Sequence, residues 1–80
     1  MINFSQLKSL QIINYVGDSL AFGGEYTLFP IEETYLDESQ CPKEDKGKLV
    51  IVEFMNNDTP MFFTLDKLDP KDWEIVYSNN

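Results

Sequence analysis

Short apolar runs separated by turn-forming residues give the chain the pattern of a mainly β protein. Runs rich in β-branched and aromatic residues predict strands at 11–16, 25–31, 48–54, 61–65 and 73–78. The run KLVIVEF at 48–54 is apolar on both faces, which indicates a central strand. The segment MNNDTP at 55–60 is typical of a turn, so the third and fourth strands are predicted to form a hairpin.

Alternation along the last two strands predicts which of their side chains lie together. Two sets are each expected to share one face: Met61, Phe63 and Leu65 in the fourth strand, and Trp73, Ile75 and Tyr77, pointing inward, in the last. Between these strands, the segment DKLDPKD at 66–72 contains Asp69-Pro70, a pair suited to opening a tight turn. We therefore expect a one-turn crossover of 3₁₀ type before the last strand.

Near the N-terminus the spacing changes from strand-like to helical. Phe4, Leu7 and Leu10 lie three residues apart, and Ser5 is a candidate N-cap for a short helix over 5–10. Together the elements predict a single mainly β (α+β) domain over the whole chain. About five short antiparallel strands would curl into a half-open sheet or small barrel, with one short N-terminal helix against it.

The charge balance narrows the classes of partner. The chain has 80 residues and a net charge of −8, from 14 acidic residues against 6 lysines, and it contains neither arginine nor histidine. Direct binding to nucleic acid or to an anionic membrane needs a basic surface, so both are disfavoured. An acidic protein is instead attracted to a basic surface on another protein, although acidity also serves solubility alone.

The residue types also argue against an enzyme. Without histidine there is no imidazole base and no Ser-His or Cys-His nucleophile. Cys41 stands alone among acids that would raise its pKa, so we interpret it as an incidental loop cysteine rather than a reactive thiol or part of a disulfide. No cofactor motif and no metal-ligand cluster is present, and the aspartates at 66–72 are interpreted as turn residues. With no signal peptide or apolar span, the expected location is the cytoplasm, and a homo-oligomer is an open alternative to a monomer.

The acid-rich segment at 32–47, EETYLDESQCPKEDKG, is the predicted partner-binding site. A long loop in a compact domain is commonly either functional or disordered. Its acidic side chains could match the charge of a phosphate strand, and its apolar side chains could anchor an interface. The candidate residues are Glu32, Glu33, Tyr35, Leu36, Asp37, Glu38, Glu44 and Asp45. The alternative interpretation is a solvated loop without a partner.

The two ends of the chain resemble a family of small phage and prophage proteins. INFSQL at 2–7 is similar to the opening helix of that family, and LDPKDWEIV at 68–76 to its closing turn and strand. The hairpin IVEFMNNDTPMFF at 51–63 occupies the corresponding place before the closing turn. Some members of this family are Thoeris anti-defence proteins, oligomers that sequester a cyclic nucleotide-type immune signal. The chain lacks the family's basic segment and has no arginine, so no ligand-binding residue is carried over.

Two functional hypotheses from different classes follow, and a plain structural or accessory protein is the third possibility. The first is a small acidic non-enzymatic interaction protein, encoded by a phage or mobile element, that inhibits a host protein by occupying its basic, nucleic-acid-binding surface. The alternative, which the resemblance implies, is an oligomeric sponge that sequesters a cyclic nucleotide-type signal.

Overall fold

The computed structural model describes residues 1–77, and its strands form two small antiparallel sheets. The strands are β1 (Ile12–Tyr15), β2 (Glu25–Thr27), β3 (Phe29–Pro30), β4 (Leu49–Phe54), β5 (Pro60–Thr64) and β6 (Trp73–Val76). One sheet has the order β2-β1-β6 and the other the order β3-β4-β5. The prediction of a mainly β, antiparallel fold is confirmed, and β4 is the central strand of its sheet. Position 78 of the predicted last strand lies outside the described residues.

The predicted strand at 25–31 is divided by Leu28 into β2 and β3, which belong to different sheets. The Leu28 N–H donates to the Gln11 carbonyl oxygen, and the Leu28 carbonyl accepts from the Leu10 N–H, both at 2.8 Å. The Leu28 side chain is fully buried, so it anchors the crossing point between the two sheets. The half-open sheet of the prediction is thus two three-stranded sheets, and neither closes into a barrel within residues 1–77.

The predicted N-terminal helix at 5–10 is wrong in type and length. A single 3₁₀ turn spans Phe4–Gln6, and Asn3 rather than Ser5 is its N-cap, with the Asn3 side chain accepting from the Ser5 N–H at 3.1 Å. Leu7 then returns to an extended conformation and is buried in the core. A six-residue segment is too short to repay the cost of nucleating an α-helix, so burial of the leucine decides its path.

The irregular segments also contain 3₁₀ turns, at Ile31–Thr34, Glu38–Gln40, Leu65–Lys67 and Pro70–Asp72. The last two form the crossover between β5 and β6, so the predicted 3₁₀ type is confirmed, but the crossover has two turns and not one. Asp69 caps the final turn by accepting from the Lys71 N–H at 3.0 Å. The Ile2 N–H donates to the Pro70 carbonyl oxygen, so this crossover also holds the start of the chain.

The core draws on strands of both sheets and on the segments that connect them. Its buried members are Ile2, Leu7, Ile13, Tyr26, Leu28, Ile51, Leu68 and Trp73. Trp73 and Ile75 pack there as predicted, but Tyr77 follows the end of β6 and is 79% exposed. Phe63 and Leu65 also pack against the core, whereas Met61 lies towards the hairpin turn and is 41% exposed. The alternation therefore predicted which side chains share a face, but not how deeply each of them is buried.

Five aromatic rings join the sheets at the centre of this core. Tyr15, Tyr26 and Trp73 come from β1, β2 and β6, Phe63 comes from β5 of the other sheet, and Phe22 comes from the β1–β2 connection. Phe22 contacts all four of the other rings, with centroids 5.2 to 6.3 Å apart. Each such pair contributes about 0.5–1.5 kcal/mol to stability beyond the burial of apolar area, so ring packing is a major interaction between the two sheets.

Candidate partner-binding surface

The acid-rich segment 31–48 connects β3 to β4, which are neighbouring antiparallel strands. Its two ends meet, because the Ile31 N–H donates to the Lys48 carbonyl oxygen at 2.7 Å directly beyond the Pro30–Leu49 strand pair. The segment is therefore a loop that is closed at its base and contains two 3₁₀ turns. We refer to residues 31–48 as the acidic loop.

Some of the predicted binding carboxylates instead hold the acidic loop together. Both oxygens of Glu32 accept from the Gly47 N–H, at 2.9 and 3.1 Å, where the chain turns through a positive φ. Asp45 forms a 2.9 Å ion pair with Lys48. Glu32 and Asp45 keep their negative charges, but these contacts fix the positions of their side chains within the loop.

Asp37 has the same internal role at the second turn of the acidic loop. Its carboxylate accepts from the Ser39 N–H at 3.0 Å and from the Ser39 hydroxyl at 2.7 Å. These hydrogen bonds lower the pKa of Asp37, with the Ser39 hydroxyl as the largest cause. Asp37 is thus the N-cap of the turn Glu38–Gln40 and remains ionised to lower pH than an ordinary aspartate.

The remaining acidic candidates are exposed and lack internal partners. Within residues 1–77, Glu33, Glu38 and Glu44 form no hydrogen bond through their side chains and no ion pair. Leu36 lies between them along the chain and is fully exposed. Tyr35 is half-buried, so it is a weaker candidate for an interface anchor than Leu36. The structure thus separates the predicted site into carboxylates that build the loop and carboxylates that a partner could use.

Cys41 is buried in the acidic loop, which corrects its interpretation as an incidental loop cysteine. Burial raises the pKa of its thiol, and the charges of Glu32 and Asp45 raise it further. The thiol is therefore protonated at neutral pH and poorly reactive. Sequence reasoning predicted the direction of this shift but missed the burial, because neighbouring polar residues gave no signal that the loop has an interior.

A second concave surface lies between the start of the chain and β6. The cleft has a volume of about 540 Å³. Its lining includes Asn3, Gln6, Trp73, Glu74 and Tyr77, which offer amide groups, aromatic surface and one carboxylate, but no lysine among the described residues. Sequence reasoning did not predict this cleft. The cleft depends on how the start of the chain folds against β6, and no local pattern shows that contact.

Two of the three aspartates of the crossover, Asp66 and Asp69, use their side chains as turn residues, as their sequence context indicated. Asp66 accepts from the Thr64 hydroxyl, which lowers the Asp66 pKa, and Asp69 caps the last 3₁₀ turn. Within residues 1–77 no group of three acidic or cysteine side chains converges as metal ligands would. The same residues include no helix with the length and apolar character needed to cross a membrane.

Comparison with known proteins adds no relative. No protein-family model matches the chain, and neither the curated proteins nor the solved structures give a significant match. The resemblance of the two ends to small phage proteins therefore stays a prediction.

Proposed function

We propose that the protein is a small non-enzymatic inhibitor whose acidic loop binds a basic surface of another protein. The observation that carries this proposal is that Glu33, Glu38 and Glu44 of the acidic loop are exposed and form no internal contact within residues 1–77, and that Leu36 of the same loop is fully exposed. Interfaces typically combine an apolar anchor with a polar rim, and complementary charge accelerates their association. The closed base of the loop presents these groups on an ordered support, which lowers the entropic cost of binding.

A phage or mobile-element origin, with action in the host cytoplasm, extends the proposal. The partner would then be a host defence protein whose basic surface normally contacts nucleic acid. A pull-down from host lysate at low and at high salt, followed by mass spectrometry, identifies such a partner. Candidates retained at low salt and released at high salt support the proposal, because screening weakens exposed charge pairs. A partner set unchanged by salt contradicts it.

The decisive variant reverses the three partner-free carboxylates. Glu33→Lys, Glu38→Lys and Glu44→Lys together should weaken partner binding by roughly tenfold or more, mainly through a slower association rate. Leu36→Asp should weaken binding separately, through a faster dissociation rate, because it removes the apolar anchor. Surface plasmon resonance over a range of ionic strength measures both rates.

A matched control changes net charge by the same amount elsewhere. Asp18, Glu25 and Glu74 are exposed and lie outside the acidic loop. Their combined replacement by lysine should leave most of the affinity intact. Equal loss of binding in both triple variants would show that net charge alone attracts the partner, and the acidic loop would then not be the site.

A second candidate function rests on the cleft beside β6. Its volume of about 540 Å³ is within the range of small-molecule sites. An oligomeric sponge for a cyclic nucleotide-type signal could use the exposed Tyr77 for base stacking and Asn3 and Gln6 for base-edge hydrogen bonds. Among residues 1–77 the lining supplies no lysine for the phosphates, which makes this the weaker candidate.

Thermal unfolding with a panel of cyclic nucleotides tests the sponge. A ligand at 100 times its dissociation constant adds about 2.7 kcal/mol to stability and raises the melting temperature by several degrees. Gln6→Ala should abolish that shift while leaving unliganded stability nearly unchanged, since Gln6 is exposed. The absence of any shift across the panel would remove this candidate.

A further inference from the structure

β5 is an unusual edge strand for so acidic a protein. It is the longest of the strands at the sheet edges, with five residues against four, three and two in β6, β2 and β3. Its sequence, PMFFT, contains no charged residue, whereas β2 carries Glu25 and β6 carries Glu74. Phe62 is 43% exposed on it. Uncharged apolar edges are templates for pairing with another strand, and proteins ordinarily block them with charges.

The hydrogen bonds of the hairpin reveal which backbone groups of β5 are free. Beside the turn, the Met55 N–H donates to the Thr59 carbonyl oxygen at 2.9 Å, so this pair is a hydrogen-bonded one. Bonded and non-bonded pairs alternate along an antiparallel ladder, and the β4–β5 register continues without a bulge. Phe62 and Thr64 therefore belong to non-bonded pairs, and their N–H and C=O groups point away from β4.

We propose that β5 pairs in antiparallel register with β5 of a second copy of this chain. With Phe62 opposite Phe62, the two residues exchange hydrogen bonds. Each Thr64 N–H then donates to the Pro60 carbonyl of the other copy. The missing N–H of Pro60 faces outward, so it removes no bond from the β4–β5 ladder. The β3-β4-β5 sheets of the two copies would become one continuous six-stranded sheet around a two-fold axis.

The side chains around this edge are also self-complementary. Phe62 shares a sheet face with Phe54, which is 63% exposed, and with the half-buried Val52. This face is opposite to the one that carries the core residues Ile51 and Phe63. Pairing at Phe62 places the two phenyl rings side by side and buries apolar surface that the monomer leaves in water.

The strand itself brings two such acidic chains together with little charge repulsion, because PMFFT carries no charge. Between positions 54 and 65 the single charged residue is Asp58. The register centred on Phe62 places Asp58 opposite Asp66 of the other copy, so one pair of like charges at each end of the paired strands opposes the dimer. Lys67, next to Asp66 in the chain, offsets part of this repulsion. The other acidic side chains lie outside this stretch and repel one another more weakly across the assembled sheet.

Sedimentation equilibrium on three chains tests the proposal. The wild type should show a reversible monomer–dimer equilibrium. Phe62→Val removes the ring but keeps the outward N–H, whereas Phe62→Pro removes both. The proline variant should dimerise about tenfold or more weakly than the valine variant, because only it loses the hydrogen bonds between the two copies. Equal dimerisation of the two variants would overturn the proposal, as would a wild type that is monomeric up to submillimolar concentration.

Hydrogen exchange tests the same interface without substitution. In the wild type, the Phe62 and Thr64 amides should become protected as concentration rises, while the Met61 and Phe63 amides, bonded to β4, stay protected throughout. Protection that does not change with concentration at Phe62 would contradict the pairing.

Ionic strength separates this inference from the proposed function. Added salt should strengthen the dimer, because it screens repulsion between acidic chains, whereas it should weaken binding of the acidic loop to a basic partner. Dimerisation that weakens with salt would exclude the β5 interface but not the proposed function. Loss of salt-sensitive partner binding would exclude the function but not the dimer.

Discussion

Tyr26 links the two sheets through its hydroxyl group. The hydroxyl accepts from the Gly23 N–H at 2.9 Å and donates to the Glu53 carboxylate, which lies on β4 of the other sheet. Tyr26→Phe removes both bonds and leaves the Glu53 carboxylate without its partner. The free energy of unfolding should fall by about 1–3 kcal/mol. Urea unfolding followed by circular dichroism measures the change. Tyr77→Phe, at a residue that is 79% exposed, is the control and should be neutral.

The same tyrosine should make stability depend on alkaline pH. Burial, and then the hydrogen bond to Glu53, raise the Tyr26 pKa above its ordinary value of 10.0. The folded state therefore favours the protonated phenol. This contribution is complete below pH 10.0 and is lost as pH rises through the higher folded-state pKa. Tyr26→Phe should flatten the alkaline end of the stability profile. An identical profile in both proteins would contradict this assignment.

Leu10 adopts an unfavourable backbone conformation although its side chain is not buried. Its φ is 71°, in the left-handed region that disfavours a Cβ atom, and its side chain is 68% exposed. Leu10→Gly removes the Cβ, and Leu10→Ala keeps it. The glycine variant should be more stable than the alanine variant by roughly 0.5–1 kcal/mol, after allowance for the greater entropy of unfolded glycine. Thermal unfolding compares them, and an alanine variant that is the more stable would show that φ carries no strain here.

The connection between β1 and β2 leaves no room for a side chain at Gly17, which lies against the side chains of Tyr15 and Asp72. A Cβ atom at this position would lie 2.5 Å from the Tyr15 hydroxyl oxygen and 2.8 Å from the Asp72 carboxyl carbon. Gly17→Ala should therefore destabilise the fold by about 1–3 kcal/mol through overpacking. Gly23→Ala is the matched control, because no atom lies within 4 Å of its added Cβ. Chemical denaturation should show the loss in the first variant alone.

The hydrophobic pattern was sufficient to predict most strands but not their division between sheets. β4 and β5 have the alternation, apolar content and turn that the sequence shows, so their hairpin was predictable. The separation of β2 from β3 depends on hydrogen bonds from Leu28 to residues 10 and 11, which belong to a distant part of the chain. Local propensity carries no information about such a long-range choice. The N-terminal turn was mispredicted for the same reason, because burial of Leu7 outweighed helical spacing.

For the candidate site, composition predicted the segment but not the contacts of its individual carboxylates. The acidic loop was identifiable from its run of carboxylates, and the structure keeps that segment together. Which carboxylates are free was not predictable, because Glu32 and Glu33 are adjacent in sequence yet only Glu32 reaches the Gly47 N–H. The division follows from the fold of the loop, so variants at Glu33, Glu38 and Glu44 test binding with less risk to folding than variants at Glu32.

For the whole molecule, the aromatic cluster should make the two small sheets unfold together. Trp73 is 2% exposed and contacts Tyr15, Phe22 and Tyr26, and Phe22 in turn contacts Phe63 of the other sheet. A sheet buries its hydrophobic face only against another layer, so each small sheet depends on the other for its core. Trp73→Ala should cost about 3–5 kcal/mol, a large part of the stability expected for a domain of this size.

Hydrogen exchange distinguishes joint from separate unfolding in the Trp73→Ala protein. If the cluster couples the sheets, the amides of Ile13 and Ile51, one in each sheet, should lose protection by the same factor. Selective loss at Ile13 would mean that the β3-β4-β5 sheet is stable independently. Leu20→Ala is the control, because Leu20 is fully exposed and its loss should leave both amides unchanged. Joint loss would also explain how so short and acidic a chain stays folded: the sheets share one core, and the repelling carboxylates lie outside it.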